Sequence, residues 1–213
     1  TGVLEPVDWR YLMSHLACAN RPENPKNQEQ LNALNRICKH YPNLLVTFAN
    51  SSGVFAGNDY QFDLTRPGCA LYGISNNSYK NNILSNVVTV KSKVIQLRDI
   101  TAHETVGYGA TYAAQPGDRI AIVPIGYADG YLRILSNTGH GFIGEHKAPI
   151  IGRVSMDMIA LDVTNIPDTE VSTDVELMGP HITVNELATL GETIGYELFT
   201  RLGERFERVY VGE

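Results

Sequence analysis

The stretch "NVVTVKSKVIQLRDI", residues 86–100, decides how the chain is to be read. Apolar and polar side chains alternate along it, the period-two signature of a strand with one buried and one solvated face, suited to antiparallel pairing. Downstream, "RIAIVPIG" (119–126), "APIIGRVS" (148–155) and "MIALDVT" (158–164) continue in strand-like runs separated by Gly, Pro and Asp. This half therefore reads as a mainly antiparallel β-domain, barrel-like in character. Near its end "TVNELATLGETIGYELFTRLG" (183–203) is helical, with Thr183 and Glu186 at capping-box spacing and Gly191 as an interruption. "RVYV" (208–211) reads as a closing strand.

Upstream of residue 85 the pattern is α/β. "NQEQLNALNRICKHYP" (27–42) places Leu31, Leu34, Ile37 and Cys38 on one helical face, with Asn27 as the expected N-cap and Pro42 as the stop. "LLVTFAN" (44–50) is too apolar for a strand with a solvated face and suits a parallel sheet. "CALYGI" (69–74), after "RPG", reads as a second such strand. The polar stretch "SNNSYKNN" (75–82) is the natural boundary, which divides the chain into 1–82 and 83–213.

Composition removes several function classes. With 17 Lys and Arg against 23 Asp and Glu, the net charge of −6 does not favour nucleic acid or an anionic membrane surface. No apolar run approaches the ~20 residues of a membrane span. The start "TGVLEPVDWRYLM" lacks the features of a signal peptide. Cys18, Cys38 and Cys69 are odd in number and without CxxC spacing, which points to a reducing compartment, with the cytoplasm as the expectation. The dispersed histidines and isolated Asp157 offer no metal-ligand pattern, and neither GxSxG nor a P-loop occurs.

Two anion-binding candidates remain. In "NSSG" (50–53) a helix would begin at Ser51, turning a hydroxyl and free amides toward the carboxyl end of the preceding strand. In "TRPGCALYG" (65–73) Arg66 precedes Gly68, whose missing side chain would admit backbone amides close to a phosphate. Each is individually weak: a plain N-cap and a surface ion pair are the ordinary readings. "HETVGYGATY" (103–112) poses a related question, because Tyr108 lies between Gly107 and Gly109, either covering the end of a sheet or carrying its hydroxyl to a particular point.

Taken together, "SHLACAN" (14–20), "FANSSG" (48–53), "FDLTRPGCALYG" (62–73), "VGYGATY" (106–112), "VPIGYADGY" (123–131), "APIIGRVSMDM" (148–158) and "ETIGYEL" (192–198) resemble the alanine racemase family in order and spacing. These are fold-type III enzymes dependent on pyridoxal 5′-phosphate (PLP). The resemblance implies the later βα units of a (β/α)8 barrel in residues 1–82, followed by the family's C-terminal β-domain in 83–213. It implies interconversion of L- and D-alanine, the D-isomer being used for peptidoglycan, and a homodimer whose active sites are shared between subunits. Tyr108 would be the catalytic base on one face of Cα, since racemisation needs a proton removed from one face and returned to the other. A phenol of ordinary pKa ~10 needs cationic or hydrogen-bonding neighbours to act so, and the resemblance assigns these to His15 and Arg66. Arg66 would also face the pyridine nitrogen, where a guanidinium does not give up a proton.

The resemblance further places the cofactor phosphate against Ser51, the amides of Gly68 and Cys69 and the hydroxyl of Tyr196, with Asn50 beside them. It assigns the substrate carboxylate to the amide of Met156, with Tyr127 and Arg153 lining the approach. Asn20 stands where the family often has aspartate, and Ser155 where many members have cysteine. The family's Schiff-base lysine lies in an early V-K-A-N-A-Y-G motif. None of Lys26, Lys39, Lys80, Lys91, Lys93 or Lys147 has that setting, so the lysine is expected in a segment before Thr1. Two other readings are a non-catalytic PLP-binding homologue or inactive fragment, and another fold-type III amino-acid enzyme such as a decarboxylase.

Overall fold

The structure is a computed structural model that describes residues 8–75 and 84–212. Most of the expected boundary stretch, and Lys80, lie outside the described residues. Two compact units are present, Thr1–Ser85 and Asn86–Glu213.

The first unit is built on three parallel strands: β1 (Tyr11–Met13), β2 (Leu45–Asn50) and β3 (Leu64–Arg66), in that order. Helix α1 (Pro25–Cys38) connects β1 to β2, and the short α2 (Ser51–Ala56) follows β2 directly. The cap of α1 is Asn24, not Asn27: Asn24 accepts from the Lys26 amide, and Pro25 fills the first turn, where its missing N–H costs nothing. Asn27 is instead buried, and its amide group donates to the carbonyls of Cys18 and Arg21. The buried helical stripe is thus Asn27, Leu31 and Leu34, with Cys38 half-buried beside it, while Ile37 turns outward at 45% exposure. Leu31 and Leu34 close over Val46 and the fully buried Phe48, with Leu16 and Ala19 in the same cluster. "CALYGI" is not a strand. Pro67 ends β3, Cys69–Tyr72 form a 3-10 turn, and Gly73 closes it at φ +72°.

In the second unit the long alternating stretch becomes two strands, β4 (Val90–Lys93) and β5 (Gln96–Asp99). Between β6 (Glu104–Val106) and β7 (Tyr112–Ala114) runs a tight hairpin. Then come β8 (Arg119–Val123), β9 (His140–Ile143), β10 (His146–Ile151), β11 (Ile159–Asp162), β12 (Asp174–Met178), α3 (Val184–Leu190) and α4 (Gly195–Arg201). One antiparallel sheet runs β4-β12-β9-β10-β11-β8-β5. Its two edge strands are joined by only Val94 and Ile95, whose consecutive amides donate to Thr173 and Ile122, on opposite sides of the sheet. A sheet whose edges are continuous in the chain has to curl, and curling removes exposed edges.

Thr183 caps α3 by accepting from the Glu186 amide, and Gly191 ends it, as the spacing predicts. "RVYV" forms no strand: Val209, Tyr210 and Val211 are 74%, 90% and 90% exposed, and no strand pairs with them among the described residues. No helix among the described residues is long and apolar enough to cross a membrane.

Two packing features carry predictions. Tyr131 is 6% exposed among Ile125, Leu132, Leu177 and Leu198, and its hydroxyl has no hydrogen-bond partner among the described residues. Burial pushes its pKa up, so the group stays neutral. Tyr131→Phe removes a desolvated donor and should leave stability unchanged or raise it by about 1 kcal/mol. A fall in thermal midpoint would reveal a partner for the hydroxyl.

His181 is stacked on Phe142 and held between carboxylates, Nδ1 at 3.1 Å from Glu176 and Nε2 at 3.3 Å from Glu145. The hydrogen bond to Glu176 and then that to Glu145 raise its pKa above the ordinary histidine value. A raised folded-state pKa contributes stability below the unfolded value of ~6.5 that is lost as pH climbs through the folded value. Thermal midpoints of the wild type should therefore fall over that upward range relative to His181→Gln. Parallel curves would remove His181 from the account.

Candidate active site

In the first unit the named residues gather at the carboxyl ends of the parallel strands, the end where such sheets place their ligands. Arg66 ends β3 and reaches across the other two strands. Its Nη1 donates to Thr47 Oγ1 (2.6 Å), and its Nη2 to the carbonyls of Ser14 (2.9 Å) and Phe48 (3.4 Å). Nη2 also lies 3.3 Å from His15 Nδ1. His15 Nε2 stands 3.2 Å from Asn50 Nδ2. The Asn50 amide is oriented independently, since its Oδ1 caps α2 by accepting from the Gly53 amide. The His15 backbone is pinned from α1, Gln30 Nε2 donating to its carbonyl at 2.8 Å.

Ser51 is buried, and its Oγ accepts from the amides of Gly68 (2.9 Å) and Ala70 (3.2 Å). The β2 and β3 loops thus converge on one hydroxyl. Cys69, between those amides, is 3% exposed. A hydroxyl, converging amides and a guanidinium form a donor-rich set suited to an anionic group such as a phosphate ester. Thr47 was not expected in this network. It is 4% exposed in β2, accepts from Arg66 and donates to the Leu64 carbonyl at 2.7 Å. Its signal was a hydroxyl inside the otherwise apolar "LLVTFAN".

In the second unit the two tyrosines of "YGATY" part company. Tyr112 is half-buried against the cluster of Ile100, Ile120, Ile151 and Ala160 that seats the hairpin. Tyr108, at the hairpin tip, is 75% exposed. Gly107 has φ +76° and ψ −179°, a conformation open essentially to glycine alone. A Cβ there would also lie 3.2 Å from the Arg153 amide nitrogen, and one on Gly109 would lie 3.4 Å from Arg153 Cζ. The loop is thus laid flat on Arg153. Tyr108 and Arg153 line a cavity of about 530 Å³ together with Gly107, Ser155 and Met158.

Tyr127 and Met156 lie on two loops stitched together by backbone bonds, Tyr127 N to Ser155 O (3.1 Å) and Ala128 N to Met156 O (3.0 Å). Only glycine fits at 126, because a Cβ would fall 2.3 Å from the Met156 carbonyl oxygen. The Met156 amide itself donates to no group among the described residues. Sequence reading missed the side chains that tie these loops. Asp129, 5% exposed, accepts from the Gly126 amide (2.9 Å) and pairs with Arg205 Nε (3.1 Å), while Arg205 Nη1 reaches Asp157 at 2.7 Å. Tyr196 lies in the first turn of α4, 40% exposed. Among the described residues no group of three or more His, Cys, Asp or Glu could hold a metal ion.

Comparison with known proteins agrees with this arrangement in both units. Residues 87–210 match the family "alanine racemase, C-terminal domain", and residues 3–76 match "alanine racemase, N-terminal domain". The alanine racemase of Rickettsia rickettsii is 42% identical over 212 residues, covering 99% of this chain and 58% of that protein. That of Brucella canis is 44% identical, covering 98% of this chain and 57% of its own length. The crystal structure of Bartonella henselae alanine racemase with covalently bound pyridoxal phosphate superposes at TM-score 0.89 and 40% identity, covering 95% of this chain and 56% of that one. The biosynthetic alanine racemase of Pseudomonas aeruginosa gives 0.87 and 34%, covering 97% of this chain and 58% of that one. The chain thus spans somewhat more than half the length of these relatives, as later βα units of a (β/α)8 barrel followed by the antiparallel β-domain. With family matches on both sides of the division and identities of 34–44% along nearly its full length, the chain belongs to the alanine racemase family.

Proposed function

We propose that the chain forms the later barrel (1–82) and the β-domain (83–213) of a cytoplasmic, PLP-dependent alanine racemase. It would act with a segment before Thr1 that carries the Schiff-base lysine, and would supply D-alanine for peptidoglycan. The observation that carries this reading is the convergence of Arg66, His15, Asn50 and Ser51 at the carboxyl ends of three parallel strands. Ser51, the amides of Gly68 and Cys69, and the hydroxyl of Tyr196 would hold the phosphate, and Arg66, braced by His15, would face the ring nitrogen. PLP, when bound, supplies an electron sink for charge developing at Cα.

The remaining work falls to protein groups. The Tyr108 hydroxyl takes or returns the Cα proton on one face, and the lysine does so on the other. The Met156 amide, with no other acceptor among the described residues, binds the substrate carboxylate. Tyr127 and Arg153 line its approach. Tyr108 and Met156 serve the partner subunit's cofactor in a homodimer, which accounts for a tyrosine on so exposed a tip.

The test is the full-length gene product in deuterated buffer with L- or D-alanine. Deuterium should appear at Cα from both enantiomers together with racemisation; no exchange from either would overturn the proposal. Borohydride reduction with PLP and peptide mapping should place the modified lysine before Thr1. A stoichiometric label on any of the six lysines of this chain would overturn that assignment.

A further inference from the structure

We infer that Arg205 is a positioning residue for substrate binding: it clamps the 126–130 and 155–158 loops so that the Met156 amide stays aimed at the substrate carboxylate. The inference rests on the reading of Met156 given above, but its geometry stands independently. Arg205 lies in the segment after α4, among residues 202–212, which contain no helix or strand. Its guanidinium spans two carboxylates from different loops, Asp129 through Nε and Asp157 through Nη1. A guanidinium is the one side chain whose planar fork holds two such acceptors at once.

The two carboxylates face different problems. Asp129 has a side chain 7% exposed, and a buried carboxylate persists only with a cation or hydrogen bonds beside it. It has both, Arg205 and the Gly126 amide, and through the latter it fixes the loop that carries Tyr127. Asp157 directly follows Met156, so its charge repels an incoming carboxylate from the amide meant to receive it. Arg205 offsets that charge and draws the Asp157 side chain toward the 126–130 loop. The two carboxylates in turn hold the guanidinium more firmly in its charged form. One cation thus performs two tasks, fixing the loops and lowering the repulsion at the amide.

The experiment compares R205M, R205K and D157N in the full-length holoenzyme. In R205M the KM for alanine and the inhibition constant of propionate, a carboxylate without the amine, should rise together about tenfold, the weight of one charge-assisted hydrogen bond. The kcat should change less. Amide exchange of peptides covering 126–130 and 155–158 should quicken in R205M. R205K, which keeps the charge but reaches only one carboxylate, should recover part of each effect. D157N, which leaves the Asp129–Arg205 pair intact, should quicken 155–158 alone and stands in for R205M if that variant does not fold. K93M, which breaks the exposed Lys93–Asp174 pair on β4, should move none of these readouts. A folded R205M with KM, propionate inhibition and exchange all unchanged overturns the inference, as does a fall in kcat with KM unaltered. If the wild type does not racemise alanine, the proposed function fails, and the exchange measurements still decide the clamp.

Discussion

Tyr108→Phe should lower racemisation by the full-length enzyme about 10²–10⁴-fold, the range of a general-base contribution, while leaving PLP retention and thermal stability close to wild type. Stability should hold because the side chain is 75% exposed. The backbone around it is costly in a different way. Gly107 and Gly109 both have positive φ, and the space over Gly107 is closed by the Arg153 backbone. Tyr112 is the internal control. It sits in the hairpin cluster, and burial followed by the charges of Asp162 and Asp118 pushes its pKa up, so it is kept as a neutral phenol. Tyr112→Phe should retain racemisation. Deuterium wash-in at Cα from each enantiomer reads both variants, and near-normal exchange in both directions for Tyr108→Phe would remove it from the chemistry.

Arg66→Met should have the second-largest effect. It withdraws the donors from the Ser14 and Phe48 carbonyls, from Thr47 Oγ1 and from His15 Nδ1 in one step. Hydrogen bonds from a charged group are worth about 1.5–3 kcal/mol each when intact, and neighbours share the loss, so roughly 2–4 kcal/mol of stability should go. PLP should also dialyse away faster, because His15 loses the partner that orients its ring. Arg66→Lys should restore the charge but not the multi-pronged geometry, and so recover only part of the stability. Unchanged melting and cofactor retention in Arg66→Met would show that the strand ends do not depend on this guanidinium.

The parts legible in the sequence were those in which a local pattern and its physical cause coincide. The buried "LLVTFAN", the Thr183 cap and the Gly191 stop each act within a few residues, and each is found in the fold, whereas the alternating 86–100, read as one strand, is two strands broken at Val94 and Ile95. The errors share one cause. Asn27 was expected as a cap because it suits that position, but Pro25 opens the helix three residues earlier, behind Asn24, and Asn27 serves a buried turn instead. "CALYGI" and "RVYV" have strand composition but no neighbouring strand to pair with among the described residues, and strand propensity without a partner does not make a sheet.

Local pattern was enough, then, for the α/β character of the first part, the β character of the second and the Thr183 and Gly191 ends of α3. The tertiary structure alone decided which of two tyrosines is exposed, that Val94 and Ile95 join the two edges of one curled sheet, and that Arg205 would bind Asp129 and Asp157. The physical reason is range. Caps and periodicity act within one turn or one pleat, where neighbours in sequence are neighbours in space. A guanidinium 48 residues from the carboxylate it bonds, or two adjacent amides directed to opposite edges of a sheet, acquires its partner only when the intervening chain has packed.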